Sequence, residues 1–274
     1  MIDIDKIKKN NKSSIFGKYI YYIPEIDSTN SYAQRLAQEG APEGTVVLTD
    51  YQKDGRGRLD RIWESSREAN VLMSLILRPK VEIEHAIRIT LASVEIIVSS
   101  LENFLKKSHS KRIEFSVKWP NDIMVNGKKI AGILAESSLR EKDIVFIVVG
   151  IGININQNLS ELSEDVRKSA TSLLAETGKE FNREKIIMEI ITSFEKNYFY
   201  LERTKYDHVI EAWKRHCPYI GKDIIIETHT HQEEGKFIDV NEKGVLLYKT
   251  EDGQLKELVT GTIKSIKARN GSDG

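Results

Sequence analysis

The chain has 274 residues, with 41 Lys+Arg against 41 Asp+Glu, 40% hydrophobic residues and 30% charged ones. That is an ordinary globular mix, long enough for one large domain and a small one. Balanced charge excludes a broad basic surface that tracks nucleic acid, and a single cysteine, Cys217, excludes an intramolecular disulfide framework and fits a reducing, cytoplasmic setting.

Residues 1–14 are rich in Ile, Asn and Lys and lack the apolar core of a secretory leader. Ser28 or Thr29 can N-cap a helix running to Gln38, which Gly40 and Pro42 stop. Short strands are expected at 46–49 and at 71–77, the latter ended by Pro79, and a helix at 83–105 follows the spacing of Ile87, Leu91, Val94, Val98 and Leu101. Strands are expected at 113–118, 130–137 and 144–153, with Asn126-Gly127 as a hairpin turn. The last of these is the longest apolar run and is too short to span a bilayer. Residues 181–201 read as a long amphipathic helix and 206–215 as a shorter one. Beyond Cys217-Pro218 the texture changes to short strands at 224–227, 235–239, 244–248 and 254–259, the pattern of a small β-barrel or sandwich. The fold class is therefore α+β.

Three segments carry chemistry. In Gly55-Arg56-Gly57-Arg58-Leu59-Asp60-Arg61-Ile62-Trp63, glycines allow close backbone approach, arginine forks match phosphate or carboxylate, and an indole can stack on a base. Such runs also occur as solvated turns, but here the cluster is local within a neutral chain, which favours an anion site. No Gly-Lys-Ser/Thr follows, so this is not a Walker loop. In Lys118-Trp119-Pro120-Asn121-Asp122, followed by Lys129-Ile130-Ala131-Gly132-Ile133, a hairpin would hold a polar corner and a lysine on a rigid frame. Trp119 reads as core. Lastly, the run ending Gly150-Ile151-Gly152-Ile153-Asn154 can offer backbone and amide groups to a ligand, without the third glycine of a dinucleotide fingerprint.

These segments, in this order and spacing, resemble the signatures of bacterial biotin protein ligases. Asp27-Ser28-Thr29-Asn30 and Tyr51-Gln52 fit as well, and the likeness covers residues 19–267. The family usually has Gly where this chain has Asp60, which bears on the mobility of the loop. The resemblance implies a central mixed sheet with flanking helices, like that of class II synthetases, over residues 1–218, and a small SH3-like β-domain over 219–270. It implies that ATP and biotin give biotinyl-5′-AMP, with Mg²⁺, and that biotin then passes to a lysine of a biotin carboxyl carrier protein. Lys129 and Arg58 are the expected catalytic residues. Biotin is expected to meet Ser28, Thr29, Asn30, Gln52, Gly55, Arg56, Gly57, Arg58, Lys129, Gly132 and Ile133. ATP is expected to meet Arg56, Arg58, Arg61, Trp63, Lys118, Asn121, Asp122, Lys129 and Asn154, with Asp122 also the candidate for Mg²⁺. The tract before Tyr19 is too short for the winged-helix repressor module that some members carry, so neither DNA binding nor membrane association is expected. Whether ligand drives a homodimer through a sheet edge stays open.

Other readings stand beside this one. A lipoate or octanoate ligase or transferase would share the fold and the lysine, but has no reason to keep the full arginine loop. A non-catalytic biotin or adenylate sensor is favoured only if Lys129 or the loop is missing, and both are present. A nucleic-acid module on the C-terminal β-domain would show salt-dependent binding. Ser28 and Thr29 can be a helix cap alone, Asp122 can simply hold a turn, and His229 with His231, expected to share a strand face, lack the partners of a zinc site.

Overall fold

The computed structural model describes residues 1–110, 112–141, 143–203 and 208–266. A first helix, α1 (Ile4–Asn10), starts where the Asp3 carboxylate accepts from the Lys6 N–H. Strands β1 (Ile20–Tyr22) and β2 (Glu25–Ile26) lead into helix α2 (Thr29–Gln38), followed by β3 (Val46–Thr49), β4 (Tyr51–Gln52) and β5 (Val71–Leu77). Helix α3 (Ala86–Lys107) precedes β6 (Ser116–Lys118), β7 (Asp122–Val125), β8 (Lys128–Arg140) and β9 (Asp143–Ile153). Four helices come next: α4 (Glu164–Ser169), α5 (Leu173–Thr177), α6 (Arg183–Arg203) and α7 (Val209–Arg215). The last strands are β10 (Asp223–Glu227), β11 (Gln232–Val240), β12 (Leu246–Lys249), β13 (Leu255–Leu258) and β14 (Thr262–Ile266).

A seven-stranded sheet in the order β1-β3-β5-β9-β8-β7-β6 forms the body, with β1 parallel to β3 and the other neighbours antiparallel. β2 and β4 make a separate parallel pair. The smaller sheet runs β13-β12-β11-β10-β14, all antiparallel. The α+β class and the small C-terminal β unit are as expected from the sequence. Among the described residues no helix is long and apolar enough to cross a membrane.

Side-chain alternation splits the large sheet into two faces. On one, Met73, Leu75, Val149 and Ile151 join Leu91, Val94 and Val98 of α3 and Ile187 and Ile190 of α6 in the main core. On the other, Val47, Ile76, Phe146 and Val148 pack under Ala33, Leu36 and Ala37 of α2. That second cluster covers only part of its face. Further along β9 the positions sharing it are Gly150 and Gly152, opposite Leu134 and Gly132 of β8. A hollow over bare backbone is what remains.

The hairpin of β7 and β8 is turned by Asn126 and Gly127, with φ of 50° and 75°, the pair a tight hairpin favours. Within it the register slips: Ile123 pairs with Ala131, but Met124 pairs with Lys129, leaving Ile130 as the extra residue of a bulge. Regular alternation would put Lys129 on the face opposite Asp122. The bulge brings it onto the same face.

Several elements differ from expectation. The strand expected at 113–118 is only Ser116–Lys118. α1, β1, β2, β4, α4, α5 and β14 were not expected; they are two to seven residues long, too short to show a period. His229 and His231 sit in the turn between β10 and β11, on no strand face. The helix expected from Tyr206 begins at Val209 among the described residues, and Tyr206, Lys267 and residues 268–270 of the expected small domain lie outside them.

A buried ion pair joins α6 to the bend between β3 and β4. Arg183 Nη1 lies 2.8 Å from Asp50 Oδ1 and donates to the Asn70 carbonyl at 3.2 Å, and the Tyr22 hydroxyl and the Ile2 N–H, at 3.3 Å, reach Asp50 Oδ2. Arg183→Met leaves a buried carboxylate without its counter-charge, so the unfolding free energy in urea should fall by about 3 to 5 kcal/mol. A loss within experimental error would show that the remaining donors suffice.

Candidate active site

The floor of the hollow is made of glycine. A Cβ on Gly152 would lie 2.6 Å from Trp63 Cε2, one on Gly132 would lie 2.9 Å from Lys129 Nζ and 3.1 Å from Trp63 Cζ3, and one on Gly150 would lie 2.2 Å from Asn30 Oδ1. The missing side chains therefore let an indole, an ammonium and an amide sit directly on the sheet. Because Gly150, Gly152 and Asn154 follow one another along β9 and its end, they set the order of the site: amide, then cation and indole, then a second amide. The cavity holds about 220 Å³.

At its centre one carboxylate serves two lysines. Asp122 Oδ1 is 2.6 Å from Lys129 Nζ and Oδ2 is 3.0 Å from Lys118 Nζ. Burial alone would raise the Asp122 pKa, but the two ammoniums outweigh it and bring the group from 3.8 down to about 2. Lys129 is a third exposed, and its ammonium lies 5.4 Å from the Trp63 ring centroid. Lys118 stands behind Asp122 and does not line the cavity wall.

The loop from Gly55 to Trp63 folds back on itself. The Trp63 N–H donates to the Gly55 carbonyl at 2.8 Å, Gly57 N–H to Arg61 O at 2.7 Å, and Arg61 N–H to Arg58 O at 3.2 Å. Leu59 and Asp60 fill the tip with φ of 54° and 55°. Asp60 thus takes the left-handed conformation that glycine enters freely, which accounts for the family's usual residue there. Gly55 backs the wall, where a Cβ would meet Trp63 O at 2.5 Å. The three arginines have separate partners: Arg56 pairs with Glu136 at 3.0 Å, Arg58 Nη2 donates to the Gly261 carbonyl at 3.0 Å, and Arg61 pairs with Glu227. Burial pulls the Arg58 pKa down while Asp122 pushes it up.

At the α2 end, Ser28 occupies the N-cap position but makes no capping bond. The simple cap reading thus fails for its side chain, which is buried in the cavity wall. Thr29 uses both its N–H (2.8 Å) and its hydroxyl (2.9 Å) on Gln52 Oε1. Ser74 Oγ reaches Thr29 Oγ1 at 2.8 Å and Asn30 Oδ1 at 2.6 Å, and Asn30 Nδ2 donates to Glu136 at 2.6 Å. The Asn121 amide is tied to the Ile133 carbonyl at 2.8 Å, and Ile133 turns its side chain to the core. Asn154 donates to Thr171 O at 3.0 Å, whereas its Oδ1, Trp63 Nε1 and Arg58 Nε are buried without a hydrogen-bond partner. These three atoms are free to bond a polar ligand in the cavity. Trp119 is core, as read, with its Nε1 donating to Gly244 O at 3.0 Å.

Sequence reasoning missed Glu64, Ser74, Glu136, α4 and Thr262 as parts of the site or its support. Ser74 could have been found as the one polar residue of β5; the others carry no local signal. The residues present do not fit a resident magnesium ion. Among the described residues the wall holds two carboxylates, Asp122 with both oxygens facing ammoniums and Glu64 with both oxygens on Ser163, and no group of three or more His, Cys, Asp or Glu able to hold a metal occurs.

Comparison with known proteins agrees with this geometry. The model of the biotin/lipoate A/B protein ligase family matches residues 22–154. The bifunctional ligase/repressor BirA of Bacillus subtilis (strain 168) is 33% identical over 259 residues, which is 94% of this chain and 78% of that protein. The biotin–[acetyl-CoA-carboxylase] ligase of Paracoccus denitrificans is 29% identical over 231 residues, 83% of this chain and 93% of its own. The structure of biotin protein ligase from Aquifex aeolicus in complex with biotin and ATP aligns with a TM-score of 0.74 at 30% identity, over 91% of this chain and 99% of that one. The chain belongs to the biotin/lipoate A/B protein ligase family, and its relatives place it among the biotin protein ligases, as its motifs led us to expect.

The Asp122 carboxylate has a folded-state pKa below its unfolded value, so it stabilises the fold fully above the unfolded value of 3.8, and the gain is lost as pH falls toward about 2. Unfolding free energies of the native chain and of Asp122→Asn should therefore differ most above pH 4 or so and converge toward pH 2. A constant difference over that window would mean that the lysines do not depress this group.

Proposed function

We propose that the protein joins biotin to ATP as biotinyl-5′-AMP and then transfers biotin to a lysine of a carrier protein. One observation carries this reading: along a single strand end the cavity presents, in order, a hydroxyl and amide cluster, a lysine, and an indole and amide with open hydrogen-bonding atoms. Solved relatives include one in complex with biotin and ATP.

In the first step a biotin carboxylate oxygen attacks the α-phosphorus of ATP, and the bond to pyrophosphate breaks. Two anions must approach, and the Lys129 ammonium, which lines the cavity, would bridge carboxylate and α-phosphate. It is already held by Asp122, which keeps the chain from swinging away. Ser28, Thr29, Asn30 and Gln52 would take the ureido end of biotin, with the backbone at Gly132 and Ile133 beside its rings. Gly55 and Gly57 let the loop close over the ligand. Arg56, Arg58 and Arg61 would exchange their present partners for phosphate oxygens. Adenine would stack on Trp63 and offer its amine to Asn154 Oδ1. Lys118 and Asn121 act behind these groups, by holding Asp122 and the Ile133 backbone. We assign magnesium to the phosphates of ATP, with which it would arrive. In the second step the acceptor amine attacks the acyl carbon and AMP leaves with the electron pair of the anhydride bond. No enzyme nucleophile is needed, and burial pushes the Cys217 thiol up to about 12, far from a reactive thiolate.

ATP–pyrophosphate exchange, run with biotin, lipoate and octanoate in parallel, should appear with biotin alone. Exchange with lipoate or octanoate instead would move the assignment to the other branch of the family. Lys129→Ala should lower the biotin-dependent rate by about 10² to 10³, the scale for losing a group that stabilises developing charge, with an unchanged circular dichroism spectrum. Arg58→Gly, which removes the side chain braced on Gly261, should still form the adenylate but release it to label bystander lysines. Bystander labelling no greater than that of the native chain would remove Arg58 from retention.

A further inference from the structure

The contacts just beyond Trp63 take no part in the reaction as derived. Glu64 lines the cavity, yet both its oxygens are occupied by one residue: Oε2 accepts the Ser163 N–H at 2.9 Å and Oε1 the Ser163 hydroxyl at 2.7 Å. Ser163 stands at the N-cap position of α4, where a serine ordinarily caps its own helix, but its side chain makes no such bond. The hydroxyl is committed to the loop instead.

The other end of α4 is fastened to the centre of the site. Ala170 pairs with Lys129 in a parallel bridge, and the Thr171 N–H donates to the Lys129 carbonyl at 2.9 Å. Val166, Ser169 and Ala170 face the cavity in between. Helix α4 is thus a strap running from the backbone of the central lysine to the end of the arginine loop. Two residues past Glu64 the chain is anchored again, with the Ser66 N–H on Gln157 Oε1 at 2.8 Å and Gln157 Nε2 on Ser66 Oγ at 2.6 Å. Glu64–Ser163 is therefore the side-chain link to α4 that immediately follows the arginine loop, ahead of the Ser66–Gln157 anchor.

We propose that Glu64 and Ser163 are positioning residues that clasp the Trp63 end of the loop to α4, so that loop and strap close the nucleotide side as one wall and retain the acyl-adenylate. The inference rests on the reading of the site as one that forms an acyl-adenylate. Opening the wall at this point breaks two hydrogen bonds to a carboxylate, which are stronger than neutral ones. The same geometry turns the negative charge of Glu64 toward two donors rather than toward the incoming phosphates.

The test is adenylate release. Native and variant proteins are charged with biotin and ATP labelled at the α-phosphate, freed of small molecules, and diluted into excess unlabelled biotin and ATP. Ser163→Ala and Glu64→Gln should release labelled adenylate about tenfold faster than the native chain, as expected for losing one hydrogen bond to a charged group. Formation of adenylate at saturating substrates should change by a much smaller factor. Ser163→Thr keeps the hydroxyl and should restore slow release, which a general loss of packing would not do. Equal release from the native chain and both weakened variants would overturn the clasp. If the native chain formed no labelled adenylate, the reading of the site would fall first, and the clasp with it.

Discussion

One buried carboxylate shared between two ammoniums sets the electrostatics of the site. On the proposed reading Lys129 meets two anions and has to be held in place before they arrive, and a single tight ion pair would hold it by cancelling its charge. Asp122 instead divides its two oxygens between Lys118 and Lys129, so the cluster keeps a net positive charge in a poorly hydrated place. Removing either lysine would leave a buried pair; removing Asp122 would leave two like charges near one another. The arrangement works only because the extra residue at Ile130 puts Lys129 on the face of Asp122.

Positioning the cluster also demands an empty floor. The positions of β8 and β9 that share its face would, in an ordinary strand, carry side chains into the volume now held by Trp63, Lys129 and Asn30. Three glycines clear it, while the residues between them, Ile151, Ile153, Ala131 and Ile133, bury their side chains against the helices behind. Core and cavity are thus the two faces of the same strands, and the stability of one holds the shape of the other.

How much of this was legible follows the range of each interaction. The Asn126-Gly127 turn, the start of α2 and the period of α3 are written in neighbouring residues and stand where expected. The cluster of Lys118, Asp122 and Lys129 could be guessed as one unit because a hairpin brings its members together. The bulge could not be read, since nothing in Lys129-Ile130-Ala131 marks a skipped pairing. Nor could the partners of the loop arginines be read: Glu227 ends β10 and Gly261 precedes β14, 166 and 203 residues from Arg61 and Arg58 in the chain. The family's motifs identified the arginine loop, but only long-range packing shows what it rests on.

That distinction decides what Asp60 does. A four-residue turn with both central residues at positive φ suits Asn-Gly, and this chain places Leu59 and Asp60 there. Aspartate tolerates the left-handed region better than most residues, while a branched aliphatic side chain such as Leu59 does not; strain of this kind costs about 1 to 3 kcal/mol per residue. The folded-back loop is therefore not the shape its own sequence prefers. It persists because Arg61 reaches Glu227, Arg58 reaches Gly261 and the loop closes its own backbone bonds. On the proposed reading, phosphate oxygens would compete for those same two guanidiniums. A ligand that takes them removes the brace and supplies its own, so the strained tip biases the loop toward whichever partner offers the arginines the stronger contacts. What Asp60 and Leu59 add is a dependence on those partners that glycine at the tip would not impose.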